Sequence, residues 1–169
     1  MEYSVFISGA AQGIGSEIAR IFHKNGYKVG IYDIDEEKAH HLAQQLGENA
    51  KAGYLDVSNY RQWQIALRAF RNWAGELNIL VNNAGVLYSG AFENTPIQSH
   101  HRTIDINVKG VLNGCHAALA HLQKSSFARV INLSSASPID GQAELAPYPA
   151  TNFAIRGFTV ASAVEWQKA

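Results

Sequence analysis

Residues 8–15 form a glycine-rich stretch that suits the binding of a phosphate group, and they read Ser-Gly-Ala-Ala-Gln-Gly-Ile-Gly. A short apolar run at residues 5–7 precedes it and apolar residues at helical spacing follow, which indicates a strand, a turn and a helix. In that order the free N–H groups and the positive dipole end of the helix face a bound phosphate. Gly9 suits a tight turn, Gly13 leaves room for a ligand, and Gly15 lets the helix pack closely on the strand. The cofactor contacts predicted in this turn are Gly9, Gln12, Gly13, Ile14 and Gly15.

A second candidate for ligand binding is Asp33, which ends the second predicted strand 18 residues after Gly15. That spacing is close to the one at which a carboxylate accepts hydrogen bonds from the adenosine ribose hydroxyls of a dinucleotide. The carboxylate would repel a 2′-phosphate, and neither Gln12 nor Ile34 supplies a positive charge beside it. These observations favour NAD over NADP as the cofactor. The alternative is a solvated turn aspartate that binds no ligand.

Short apolar segments alternate with amphipathic segments along the chain, which predicts alternating strands and helices. The predicted strands span residues 3–7, 28–32, 50–55, 77–81 and 129–133. Asp35 and Ser58 are the predicted N-caps of two helices. A single helix is predicted from Thr95-Pro96 to Leu122, with Ile104 and Val111 on its inward face, and a last helix from Pro149. The repeated units predict an α/β fold with a doubly wound, Rossmann-like parallel sheet, in one dinucleotide-binding domain over residues 1–169.

Polar residues and glycines gather at the carboxyl ends of the predicted strands. In an open parallel sheet, ligands bind outside those ends, which meet at one edge. The residues concerned are Ser8-Gly9, Asp33, Asp56, Asn82 to Gly85 and Ser134-Ser135. A binding site is therefore predicted along this edge.

The composition of the chain limits the classes of partner. Among 169 residues, 14 are basic and 14 acidic, so charge gives no reason to expect nucleic acid or an anionic membrane surface. No segment approaches the length of a membrane span. The single cysteine, Cys115, lies on an apolar helical stripe and favours a buried thiol and a cytoplasmic setting. The paired histidines at 40–41 and 100–101 diverge by about 100° on a helix, so no metal site is predicted.

Four separated motifs, in order along essentially the whole chain, resemble the short-chain dehydrogenase/reductase family. Residues 8–15 are similar to the family's TGxxxGIG turn, with serine in place of threonine. Asn82-Asn83-Ala84-Gly85 resembles its NNAG motif, and Asn107 matches its helix asparagine. Ser135 lies 13 residues before Tyr148, which is the spacing of the family's catalytic serine and tyrosine.

The resemblance implies a role for each matched residue. Tyr148 is the implied general acid/base, because hydride transfer to a carbonyl needs a proton for the developing alkoxide. Ser135 would hydrogen-bond the carbonyl oxygen, and Asn107, an unfavourable residue inside a helix, would hold a water in a proton relay. The further implied cofactor contacts are Asp56, Val57, Asn83, Ala84, Gly85, Tyr148 and Asn152. Asp56 has an equal alternative, which is to help Ser58 cap the next helix.

Two features depart from the family pattern. The YxxxK motif reads Tyr148-Pro149-Ala150-Thr151-Asn152, so Asn152 stands at the catalytic lysine position. The sequence also stops at the end of the last predicted helix, where family members continue into further strands, so C-terminal strands are expected to be missing. The fifth strand would then be an apolar edge, which predicts a homo-oligomer, either a dimer or a tetramer.

The predicted function is an NAD-dependent oxidoreductase that transfers hydride between NAD(H) and a small-molecule alcohol or ketone. A partly apolar substrate is expected from the residues in loops that should border the pocket, namely Leu87, Tyr88, Phe92, Pro138, Ile139 and Leu145. The alternative is a dinucleotide-binding protein or regulatory subunit with impaired catalysis, because Asn152 lacks the charge of lysine.

Overall fold

Five parallel strands form one sheet, in the order β3-β2-β1-β4-β5, in the computed structural model, which describes residues 3–135 and 143–166. The strands are β1 (Ser4–Ser8), β2 (Lys28–Asp33), β3 (Ala50–Tyr54), β4 (Ile79–Asn82) and β5 (Arg129–Asn132). The strand order reverses between β1 and β4, and a crevice is expected at the carboxyl ends of strands at such a point. The predicted doubly wound, Rossmann-like parallel sheet is confirmed.

Helices follow each of the strands β1 to β4 and lie along the sheet. They are α1 (Gly13–Lys24), α2 (Glu36–Leu46), α3 (Tyr60–Ala74), α4 (Ile97–Ile104), α5 (Gly110–Leu122) and α6 (Pro147–Trp166). A π-helical turn, Asp105–Lys109, joins α4 to α5. In the described ranges, no helix is both long and apolar enough to cross a membrane.

The two faces of the sheet bury separate apolar clusters, because side chains alternate along each strand. In β1, Phe6 packs with Trp63 and Phe70 of α3 on one face. Val5 and Ile7 point to the other face, where they belong to a cluster that includes residues of α1 and α2. The strands are therefore covered on both sides, as the repeated strand–helix units predicted.

The predicted helix caps agree with the structure only in part. Asp35 caps α2 as predicted, since its carboxylate accepts a hydrogen bond from the backbone N–H of Lys38 at 3.1 Å. The predicted cap at Ser58 is wrong, because the Ser58 hydroxyl donates to the Asp56 carboxylate instead. Asn59 caps α3 and accepts from the backbone N–H of Gln62 at 3.2 Å.

The single helix predicted from Thr95-Pro96 to Leu122 is also wrong in two respects. Thr95 does not cap it, because its hydroxyl donates to the carbonyl of Ala91, and the helix begins at Ile97. The π-helical turn then adds a residue to one turn, which rotates the preceding side chains by about 100°. Ile104, predicted to face inward with Val111, is consequently 44% exposed.

The last helix starts earlier than predicted, at Pro147 instead of Pro149. A proline suits the first turn of a helix, where the missing N–H has no intrahelical partner. Two prolines at positions 147 and 149 both fit that first turn, so the earlier of the two marks the start.

Candidate functional site

The glycine-rich turn between β1 and α1 has the geometry that a bound phosphate needs. Gly9 and Gly13 have positive φ angles of 65° and 58°, which glycine adopts without strain. A Cβ at Gly9 would stand 2.6 Å from the Ala84 Cα, whereas one at Gly13 would meet nothing within 4 Å. A Cβ at Gly15 would clash with the Gly9 carbonyl oxygen, so α1 lies against the turn as closely as predicted. Gly13 therefore borders open space at the start of α1.

Hydrogen bonds of Asn83 and Ser8 connect the end of β4 to the end of β1. The Asn83 side-chain amide donates to the carbonyl oxygens of Gly9 at 2.6 Å and Ser8 at 3.2 Å. The Ser8 hydroxyl accepts from the backbone N–H groups of Asn83 at 3.2 Å and Ala84 at 3.4 Å. These hydrogen bonds hold the Asn83 side chain against the glycine turn. The segment that includes Ala84 and Gly85 therefore lies beside the turn.

Asp33 stands at the end of β2, where two backbone groups fix its carboxylate. Oδ2 accepts from the N–H of Ala11 at 3.0 Å, and Oδ1 accepts from the N–H of Asp35 at 3.0 Å. Each carboxylate oxygen has a further lone pair, so both remain able to accept another hydrogen bond. Asp33 also lines a cavity, so its carboxylate, held by these two hydrogen bonds, forms part of the cavity wall.

Asp56 bonds to Ser58 but does not help it cap α3, the structural role that was one of its two predicted roles, because Asn59 is the cap. The Asp56 Oδ1 accepts from the N–H and the hydroxyl of Ser58, at 2.9 and 2.7 Å. Asp56 and Val57 also line the same cavity as Asp33. The bond to Ser58 and contact with a ligand are therefore compatible at this position.

A cavity of about 510 Å³ runs from β2 and β3 across the glycine turn to the segment after β4. Its lining includes predicted cofactor contacts from four separate stretches of the chain: Gly9, Gln12, Gly13, Ile14, Asp33, Asp56, Val57, Asn83, Ala84 and Gly85. Arg102, which was not predicted, lies in the same wall with Asp105 and Ile106. The structure therefore brings the predicted binding residues together around one space.

A second cavity, of about 320 Å³, adjoins the first and shares five residues with it: Ile14, Asn83, Ala84, Gly85 and Val86. Its lining includes the four predicted catalytic positions, namely Asn107, Ser135, Tyr148 and Asn152. Of the predicted apolar border, Leu87 lines this cavity, whereas Phe92 stacks on the His100 ring with centroids 4.7 Å apart. Pro138 and Ile139 lie outside the described residues.

Asn107 lies in the π-helical turn, where its side chain bonds to both backbone groups of one residue. Its Oδ1 accepts from the Val86 N–H at 2.8 Å, and its Nδ2 donates to the Val86 carbonyl at 2.9 Å. Nδ2 also donates to the Thr151 hydroxyl of α6 at 3.3 Å. Asn107 therefore joins the segment after β4 to α6, the helix that carries Tyr148.

The Asn152 side chain lies against the end of β5. Its Oδ1 accepts from the Ser135 N–H at 2.8 Å and the Ser134 hydroxyl at 3.1 Å, and its Nδ2 donates to the Tyr148 carbonyl at 2.9 Å. The sequence marked position 152 only by its departure from a motif. The roles of Ser134 and Thr151 were missed, although both directly neighbour predicted residues.

A sequence model described as short chain dehydrogenase matches residues 4–169. The chain belongs to this family. The short-chain dehydrogenase resemblance seen in the four motifs is thereby confirmed, and the family is one of oxidoreductases that bind a nicotinamide dinucleotide.

Curated short-chain dehydrogenases of bacteria are among the relatives. The chain is 34% identical over 159 residues to a 3-alpha-(or 20-beta)-hydroxysteroid dehydrogenase of Mycobacterium tuberculosis, covering 94% of this chain and 61% of that protein. It is 33% identical over 165 residues to the 3-beta-hydroxysteroid dehydrogenase of Comamonas testosteroni, covering 96% and 63%. The chain thus spans slightly over three fifths of the length of these two relatives.

Solved structures of reductases and dehydrogenases have the same fold. A 3-ketoacyl-(acyl-carrier-protein) reductase from Brucella melitensis complexed with NADH matches with a TM-score of 0.94 and 29% identity, over 98% of this chain and 71% of that one. A gluconate 5-dehydrogenase from Burkholderia cenocepacia in complex with NADP and tartrate matches with a TM-score of 0.91 and 29% identity, over 99% and 67%.

Proposed function

We propose that this protein transfers hydride between NAD(H) and a small alcohol or ketone. The observation that carries the proposal is the pair of adjoining cavities, which share five lining residues. One cavity is bordered by the glycine turn and Asp33, and the other by Ser135 and Tyr148. A dinucleotide that filled the first would extend its reactive end toward the second.

The residues of the first cavity fit a dinucleotide. The open space at Gly13 is a cradle that a Cβ would partly fill, at the N-terminus of α1, where a pyrophosphate is stabilised. Asp33 would accept the ribose hydroxyls, and Asp56 and Val57 would border the adenine. Ala84 and Gly85 lie where the two cavities meet. When bound, the nicotinamide supplies or accepts the hydride.

The residues of the second cavity fit the remaining part of the reaction. The Tyr148 hydroxyl would donate a proton to the substrate oxygen during reduction and accept it during oxidation. Ser135 would donate a hydrogen bond to that oxygen and orient it. Asn107 would hold the Val86 segment against α6, with its predicted role in a water relay as part of the proposal.

NAD is the proposed cofactor, in preference to NADP. The fixed carboxylate of Asp33 would accept bonds from two hydroxyl groups and repel a phosphate. The related solved structures hold NADH in one case and NADP in the other, so the preference rests on Asp33. A cytoplasmic location and assembly into a homo-oligomer remain predictions.

A dinucleotide-binding protein without efficient catalysis is the second candidate, and Asn152 is the observation that favours it. The neutral amide cannot supply a positive charge near Tyr148 and is committed to other partners. Binding would then be retained while turnover is low.

A fluorescence titration with NADH, followed by a screen of alcohols and ketones, tests the proposed function. We expect saturable NADH binding, and turnover that falls by about 10²-fold or more in Tyr148→Phe with NADH binding retained. Binding without turnover would support the second candidate. A protein that binds neither NADH nor NADPH would contradict both candidates.

A further inference from the structure

Asn152 joins the two segments that carry the proposed catalytic side chains. It lies in α6, one turn after Tyr148, and its side chain reaches the residues that follow β5. One amide group accepts from Ser134 and Ser135 and donates to the Tyr148 carbonyl, with distances of 3.1, 2.8 and 2.9 Å. Both the oxygen and the nitrogen of the side chain are therefore used within the protein.

The chemistry of the partners fixes the orientation of this amide. The backbone N–H of Ser135 can only donate and the backbone carbonyl of Tyr148 can only accept, so Oδ1 must face the former and Nδ2 the latter. Lysine has three donors and no acceptor, so it could not make the bond to Ser135. Asparagine at position 152 thus adds an acceptor to the site, in addition to removing a charge.

The position is also shielded from solvent. Asn152 is 7% exposed, and the neighbouring Thr151, whose hydroxyl also donates to the Tyr148 carbonyl at 2.8 Å, is 3% exposed. Loss of a hydrogen-bond partner costs more free energy for a buried polar group than for an exposed one, because water does not replace the lost bond. The Asn152 side chain is therefore held in place by its hydrogen bonds to Ser134, Ser135 and Tyr148 and not by water.

We infer that Asn152 is a positioning residue, which holds Ser135 at a fixed place relative to Tyr148 through its acceptor oxygen. The inference rests on the proposed function, because it assigns Ser135 to the substrate oxygen. It also predicts that the Asn152 side chain contributes little to cofactor affinity, since both acceptor sites of its oxygen and one of its two N–H donors are occupied within the protein. Substitution should then affect the turnover number and not the binding of NADH.

Hydrogen exchange at the Ser135 amide, followed by NMR, tests the contact without cofactor or substrate. In Asn152→Leu, which keeps the branched shape and removes the acceptor, we expect exchange to be roughly tenfold faster. In Asn152→Asp, which keeps an acceptor oxygen, exchange should stay within about threefold of the wild type. The matched control is Asn25→Leu, because Asn25 also donates to the carbonyl four residues earlier, that of Ile21, but lies at the far end of α1.

Kinetics with a ketone accepted by the wild type supply the second measurement. We expect Asn152→Leu to lower kcat by about tenfold with an unchanged Kd for NADH. A weakened NADH affinity with unchanged kcat would overturn the inference and assign Asn152 to the cofactor. Unchanged exchange at Ser135 in Asn152→Leu would also overturn it.

The two measurements separate this inference from the proposed function. A wild type that binds no NADH refutes the function, while exchange at Ser135 still reports whether Asn152 holds that segment. If Asn152→Leu fails to fold, the wild type and Asn152→Asp decide the question. Slow exchange at Ser135 in both supports the inference, and fast exchange in the wild type overturns it.

Discussion

At the scale of single residues, Asp33 determines the expected cofactor preference. Removing its charge in Asp33→Asn should raise the affinity for NADPH relative to NADH by about tenfold, because repulsion of the 2′-phosphate is lost. Asp35→Asn is the matched control, since it removes the same charge while Asp35 caps α2 and binds Lys38. The measurement is a fluorescence titration with each nucleotide. Tighter binding of NADPH than of NADH by the wild type would contradict the expectation.

The Cys115 thiol should be inert in the folded protein. Burial raises its pKa to about 11, against the smaller opposing effect of hydrogen bonds with Asn82 and Asn132. Because the thiolate is the reactive form, the thiol stays protonated and unreactive at pH 8 and begins to ionise only as the pH approaches 11. Native protein should react with a thiol reagent far more slowly at pH 8 than protein unfolded in guanidinium. Equal rates in both states would show that the thiol is accessible.

The individual site residues were predictable to different degrees. Asp33 and the glycines were found because a required φ angle or a spacing limits the residue type. The partners of Asn107 and Asn152 were not predictable, because an amide accepts many geometries and its choice depends on which segments the fold brings near. Ser134 and Thr151 joined the site in the same way.

At the scale of the elements, the two ends of α1 permit a controlled test of the glycine turn. Gly13 and Gly26 both have positive φ, of 58° and 80°, and at both positions a Cβ would meet nothing within 4 Å. Alanine at either position should destabilise the fold by about 1 kcal/mol, because of the left-handed backbone. Only Gly13→Ala should also weaken NADH binding, since Gly13 lines the cavity.

Thermal unfolding and NADH titration of the two variants check this expectation. Equal losses of stability with a selective loss of NADH binding in Gly13→Ala would support the role of the turn. The account of the turn would be wrong if Gly26→Ala impaired binding as much as Gly13→Ala did.

The elements themselves were largely predictable, and the exceptions have physical reasons. The apolar runs of β1 and β4 and the helical pattern of α3 agree with the structure, because burial against the sheet requires apolar residues at these positions. The π-helical turn was missed, because one extra residue in a turn changes the helical face without leaving a mark in local composition. The exposure of Ile104 is the consequence.

At the scale of the whole molecule, the apolar surface of α6 and β5 predicts self-association. Val160 and Val164 of α6 are 64% and 57% exposed, and Ile131 on the edge strand β5 is 42% exposed. Sedimentation at tens of micromolar should show a dimer or tetramer. Val160→Lys should weaken this association, whereas Ile65→Lys on α3, where Ile65 is 59% exposed, should not. A well-behaved monomer at that concentration would contradict the prediction.

In the proposed reaction, hydride passes between a nicotinamide bound at the glycine turn and a substrate held near Ser135 and Tyr148. The most direct test supplies NADH that carries deuterium at the transferring position, with a panel of small ketones, and analyses the alcohols by mass spectrometry. The account predicts deuterium on the carbinol carbon of at least one product, and its loss in Tyr148→Phe although NADH still binds. NADH binding by the wild type with no deuterium in any alcohol, or transfer that is unaffected in Tyr148→Phe, would contradict it.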